Sequence, residues 1–281
     1  MSATRPGPPR DHSALISRFT EVCSADDRIV AAFLSGSHAR GEADEYSDLD
    51  LGLITTDEAF ENVMSDRGAF IRRLGEPLFL EDFGLDRIML FILADGTEGE
   101  LFFGREGALK EIETYFEGPF EPLLDRRGIL TGAQFPFAQP DPDEQREYLR
   151  KVLNWFWHDL SHFIAALGRG DLWWAYGQLE ALRRYCVNLV RIQHGVGAQE
   201  EAYEKLGKVI PVSELSALQA SFCQMEPQAM LRAALDIVRF FREHAPRVAG
   251  AHGSGYPAEL ERLMSDRLDE LGAASRPRTP S

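Results

Sequence analysis

Apolar positions in the first half of the chain fall into helical stripes and short unbroken runs; in the second half they follow long helical repeats. Leu15, Ile16, Phe19 and Val22 lie at helical spacing and predict a helix over 12–24. The run 29–34 reads as a buried strand, and a second apolar run carries on through 49–54. Thr55, Thr56 and Asp57 offer a cap for a helix over 59–74. Three β-type runs follow at 77–80, 87–93 and 100–103, and Asp95-Gly96 between the last two is a hairpin turn signal. A helix over 106–115 and an edge strand within 122–130 complete a mixed sheet flanked by helices. Pro136, Pro140 and Pro142, with Asp141, Asp143 and Glu144, then mark a boundary. Helices are expected beyond it over 144–167, 172–194, 227–244 and 257–271. Gly168-Arg169-Gly170 separates the first two, which suits an antiparallel helical hairpin. The expected fold class is α+β: a mixed-sheet domain at 11–138, a helical bundle at 139–271, and flexible Pro-, Ser- and Arg-rich tails at 1–10 and 272–281.

Composition narrows the function. The 281 residues suit two domains of ordinary size, and the net charge of −15 argues against a partner that is a polyanion, so no nucleic acid is expected. The same acidity either draws a cationic small molecule toward a cleft or serves solubility alone. The three cysteines, Cys23, Cys186 and Cys223, have no metal-like spacing and suggest free thiols in a reducing compartment. The first ten residues lack the apolar segment of a signal peptide, and no apolar run approaches membrane-spanning length. A cytoplasmic protein without membrane contact is expected.

The chemistry concentrates between the first two predicted strands. Strand 29–34 runs into Gly36-Ser37, where backbone N–H groups and the Ser37 hydroxyl can meet phosphate oxygens. About ten residues later comes Asp48-Leu49-Asp50, two carboxylates that share one face of a strand while the leucines point to the core. Two like charges so placed repel, and a hard divalent cation between them relieves the repulsion.

A Gly-Ser pair, this spacing and an Asp-x-Asp strand resemble the nucleotidyltransferase superfamily of DNA polymerase β. Size and the helical second half look most like the antibiotic nucleotidyltransferases that adenylylate lincosamides or aminoglycosides. The specific match covers about 29–54, with weaker agreement to about 130 and an architectural likeness beyond. The resemblance implies Mg²⁺ and ATP (or another nucleoside triphosphate) as donor, attack by a small-molecule hydroxyl on the α-phosphorus, and loss of pyrophosphate. Asp48 and Asp50 would hold the metal with a third carboxylate, Glu100, which heads a strand where the resemblance places an acidic residue; Glu98, on the same face, is its rival. Gly36 and Ser37 would hold the outer phosphates with help from Ser47. Arg40 either reaches the same phosphates or pairs on the surface with Glu42 or Asp44. Some relatives build the site across a homodimer, which the sequence leaves open. Two other functions stay open: an antitoxin-type enzyme that adenylylates a partner protein, and a non-catalytic nucleotide-binding module, which intact Asp48, Asp50 and Ser37 argue against.

In the bundle, Glu180 and Arg184 share a helix face. Kanamycin-type adenylyltransferases carry a glutamate base and a lysine at that spacing, so Glu180 would be a base and Arg184 a phosphate contact, with Arg183 as an alternative; a plain surface ion pair is the competing reading. Trp155, Trp157, Trp173, Trp174 and Tyr176 form either an acceptor wall or bundle core. His158 and His162 have a zinc-compatible spacing, but with no third ligand evident nearby they read as structural.

Overall fold

The computed structural model describes residues 12–113, 115–137, 139–198 and 202–274. The chain divides into two units, Met1–Ala138 and Gln139–Ser281. In the first, a six-stranded sheet has the order β3-β4-β5-β2-β1-β6. Its elements are α1 (Ser13–Ser24), β1 (Ile29–Leu34), α2 (Gly36–Ala39), β2 (Leu49–Thr55), α3 (Phe60–Ser65), α4 (Arg67–Leu74), β3 (Pro77–Glu81), β4 (Ile88–Leu93), β5 (Glu98–Arg105), α5 (Leu109–Ile112) and β6 (Glu121–Asp125). β2 and β5 run parallel, whereas β1 pairs antiparallel with β2 and β6. Period-two alternation sorts the side chains of β2 and β5 onto two faces. Leu49, Leu51, Leu53, Leu101 and Phe103 pack with Phe19 of α1 and Phe70 of α4. On the opposite face Ile54 and Phe102 join Phe33, Phe116 and Phe135. Position 52 falls on that second face, and it is a glycine because the Phe33 ring occupies the place of a Cβ.

The second unit holds α6 (Pro142–Gly168), α7 (Leu172–Gln193), α8 (Leu206–Val209), α9 (Val212–Gln219), α10 (Pro227–Ala251) and α11 (Ala258–Ala274). Asp141 caps α6 by accepting the Asp143 and Glu144 N–H groups, and Asp171 caps α7 through the Trp174 N–H. The core includes Phe156 stacked on Phe241 with ring centroids 3.6 Å apart, beside the fully buried Trp157. Among the described residues no helix is long and apolar enough to cross a membrane.

The structure departs from the sequence expectations at element ends. The helix expected over 59–74 breaks at Asp66, which leaves helical geometry (φ −110°, ψ 9°) and starts α4. The helix expected over 106–115 shrinks to a 3₁₀ turn, Glu106–Ala108, and the single turn of α5; there the Gly107 N–H donates to Asp57 Oδ1. β6 stops at Asp125, whose carboxylate accepts the Ile129 and Leu130 N–H groups and curls the chain away. Gly272 to Ala274, expected in a flexible tail, continue α11. Residues 1–10 and 275–281 lie outside the described residues.

Candidate active site

Asp48, Asp50 and Glu100 come together because β2 and β5 run side by side. In their parallel register Asp50 stands directly opposite Glu100, with Leu51 opposite Leu101 and Gly52 opposite Phe102. Asp48 precedes β2 and is exposed; Asp50 and Glu100 are half-buried. The Glu100 carboxyl is pushed up from 4.5 to about 7, first by burial and then by the charges of Asp50 and Asp48. Glu98 is exposed and lies one residue before the point where β5 pairs with β2. Glu100 is thus the acidic residue of β5 that feels both aspartates.

The Gly-Ser turn closes onto the same carboxylates. The Ser35 N–H donates to the Asp50 carbonyl at 2.8 Å and pins the end of β1 to β2. Gly36 has φ +64°, and a Cβ there would fall on Asp50 Oδ2. Glycine is required twice over, for its backbone and for its lack of a side chain. Ser37 Oγ is buried without a hydrogen-bond partner. A hydroxyl in that state suits an oxygen-rich ligand such as phosphate, and three carboxylates form the hard oxygen set that Mg²⁺ prefers. The residues present therefore fit a metal–nucleotide pair: Asp48, Asp50 and Glu100 for the cation, Gly36 and Ser37 for phosphate. Helix α2 is one turn long, so its dipole adds little beyond these local donors.

The other expected phosphate contacts are engaged elsewhere. Arg40 pairs with Glu42 at 3.1 Å. Ser47 Oγ accepts the Asp44 N–H at 2.8 Å and donates to Asp44 Oδ1 at 3.2 Å, which shapes the loop before Asp48. His12 and His38, which the sequence reading passed over, meet at 3.1 Å (Nδ1 to Nε2). Burial lowers the His38 pKa and the nearby Asp48 partly offsets this. His38 follows Ser37 directly, and that adjacency was the available signal.

In the second unit the pair expected at Glu180 and Arg184 is not the one formed. Glu180 is held by Arg183 and by the Tyr203 hydroxyl at 2.6 Å. Arg183 is buried and donates to Ser221 Oγ and to the Ser221 carbonyl, both at 2.9 Å, while its guanidinium lies over the Phe222 ring. A guanidinium so enclosed locks α7 to the segment after α9 and has no face left for phosphate. Arg184 is exposed. The aromatic set divides: Trp157 is core, Tyr176 packs on the core, and Trp155, Trp173 and Trp174 are exposed.

Residues 10–271 match the family model for streptomycin adenylyltransferase. Among solved structures, the chain is similar to an aminoglycoside 6-adenyltransferase from Bacillus subtilis (15% identity, TM-score 0.46, covering 93% of this chain and 97% of that one). It is also similar to a nucleotidyltransferase-like protein from Exiguobacterium sibiricum 255-15 (12% identity, TM-score 0.39, covering 86% of this chain and 77% of that one). A search of curated proteins finds no match by sequence. With a family match that spans both units, the chain belongs to the streptomycin adenylyltransferase family and is a nucleotidyltransferase of the antibiotic-adenylylating kind.

Proposed function

We propose that this enzyme transfers AMP from ATP to a hydroxyl of a streptomycin-type aminoglycoside and releases pyrophosphate, with Mg²⁺ as the required ion. The observation that carries the reading is the packing of Gly36 against the Asp50 carboxylate, directly across the register from Glu100. It joins a phosphate-sized turn to a three-carboxylate set. Asp48, Asp50 and Glu100 would hold Mg²⁺, which when bound neutralises phosphate charge and makes the α-phosphorus a better electrophile. The Gly36 turn and the Ser37 hydroxyl hold the outer phosphates, so the leaving pyrophosphate is fixed in place. In the metal-free protein, burial and the charges of Asp50 and Asp48 raise the Glu100 carboxyl to about 7. Bound Mg²⁺ would offset those charges and keep Glu100 ionised, the form that can take the acceptor's hydroxyl proton. The new bond joins the acceptor oxygen to the α-phosphorus as the α–β phosphoanhydride bond breaks.

The acceptor assignment rests on the family description together with the net charge of −15, which favours a polycationic drug over a neutral one. The test is incubation with α-labelled ATP, Mg²⁺ and either streptomycin, another aminoglycoside or a lincosamide. Labelled streptomycin, with transfer abolished by EDTA and by Asp50→Asn, is the expected result. Label on the lincosamide alone would replace the acceptor. No transfer to any of the three would overturn the proposed function.

A further inference from the structure

His158, Asp159 and His162 on α6 bring two imidazoles and a carboxylate together, with one potential donor atom from each within 4.8 Å of the others. The two rings lie edge to face with centroids 4.4 Å apart. His158 Nδ1 is 3.0 Å from Asp159 Oδ1. Zinc–nitrogen and zinc–oxygen bonds of about 2.0–2.1 Å in a tetrahedron set donor atoms roughly 3.3 Å apart. The 3.0 Å separation of that hydrogen-bonded pair is close to one edge of such a polyhedron, and a donor atom of His162 lies within 4.8 Å of the other two residues' donors.

The carboxylate is also fixed from behind. Asp159 is buried, and its second oxygen accepts a hydrogen bond from the Tyr185 hydroxyl of α7 at 2.9 Å. Ligands oriented by such outer hydrogen bonds are characteristic of metal sites. On the outer side His158 is exposed, so an ion can enter without unfolding the helix. The cluster also borders a cavity of about 590 Å³. Two of the cavity's wall residues, Trp155 and Tyr185, touch His158 and Asp159 respectively.

We infer that His158, Asp159 and His162 form a binding site for a divalent transition metal of the Zn²⁺ type, chemically distinct from the three-carboxylate site on the sheet. Imidazole donors favour Zn²⁺, Ni²⁺ or Cu²⁺, whereas the all-oxygen set at Asp48, Asp50 and Glu100 suits Mg²⁺. Three protein donors leave a fourth position for water. The ion ties the exposed face of α6 to α7 through the Asp159–Tyr185 bond.

The test is Zn²⁺ uptake by the full-length protein after chelator dialysis, measured in competition with a chromophoric chelator and with excess Mg²⁺ present. Co²⁺ gives the spectroscopic check. The expected result is one equivalent of Zn²⁺, a Co²⁺ absorption spectrum containing nitrogen ligands, and a raised melting temperature. His162→Gln should weaken uptake by at least about tenfold. His158→Gln with His162→Gln should abolish uptake while leaving adenylyl transfer unchanged. Asp50→Asn should keep the Zn²⁺ site intact, which separates it from the nucleotide site. His158→Gln alone, at an exposed position, serves if the double variant does not fold. Absence of a stoichiometric Zn²⁺ equivalent, or equal uptake by wild type and the histidine variants, overturns the site.

Discussion

Replacement of Glu100 by Gln should stabilise the metal-free protein at neutral pH and leave its stability in acid unchanged. Burial and the neighbouring aspartates raise the Glu100 carboxyl from 4.5 to about 7. A carboxyl raised in this way binds its proton more tightly in the folded chain than in the unfolded one. The folded state therefore carries no penalty below pH 4.5, loses stability as pH rises toward 7, and bears the full penalty above that window. At about 1.4 kcal/mol per pH unit the displacement corresponds to roughly 3 kcal/mol. Partial contact of the side chain with water screens this to about 1–2 kcal/mol. Urea unfolding of both proteins in EDTA, near pH 4.5 and again near pH 8, reads the effect. Glu100→Gln should be the more stable protein by about 1–2 kcal/mol near pH 8, with the difference vanishing at the acid end. Millimolar Mg²⁺ should then stabilise the wild type more than the variant. Equal stabilities at both pH values, or a variant weaker near pH 8, would refute the electrostatic account of the site.

Gly36→Ala should reduce adenylyl transfer by at least about 100-fold in a radiolabel assay, because its Cβ displaces the Asp50 carboxylate. Its left-handed backbone adds a stability loss of about 1–2 kcal/mol, visible as a lower melting temperature. Ser37→Ala should behave in the opposite way. Its hydroxyl has no partner in the folded protein, so urea unfolding should change by less than about 0.5 kcal/mol. The KM for ATP should nevertheless rise about tenfold, as expected for loss of a hydrogen bond to a charged group. Phe241→Ala removes the ring stacked on Phe156 and should cost about 3–5 kcal/mol in denaturant unfolding.

The donor half of the candidate site is legible in the sequence because its parts are local. Gly36, Ser37, Asp48 and Asp50 lie within fifteen residues, and strand periodicity alone puts both carboxylates on one side. Glu100 needed the family resemblance, since only the β2–β5 register distinguishes it from Glu98. The bundle was legible as helices but not as contacts. Helical spacing pointed from Glu180 to Arg184, yet Arg183 takes the pair because Ser221 and Phe222 enclose it from a distant segment. Asp159 was missed as a partner of His158 and His162 because a residue next in sequence on a helix points roughly 100° away. Its orientation is set by Tyr185 of the adjoining helix, which periodicity within α6 does not reveal. The break at Asp66 escaped the apolar pattern for a similar reason, since it leaves the spacing of Phe60, Val63, Phe70 and Ile71 intact.

The parallel pairing of β2 with β5 has a consequence for how the enzyme comes to exist. Positions 50 and 100 face each other only after α3, α4, β3 and β4 have been laid down between them. Parallel neighbours cannot be joined by a tight turn, so no shorter stretch of chain gathers the three carboxylates. A polypeptide released before β5 docks has Asp48 and Asp50 but not Glu100, so it would offer the proposed Mg²⁺ two carboxylates in place of three. The proposed ion would therefore stabilise the finished sheet more than its precursors. Metal affinity, followed during refolding, becomes a clock for the moment at which β5 enters the sheet.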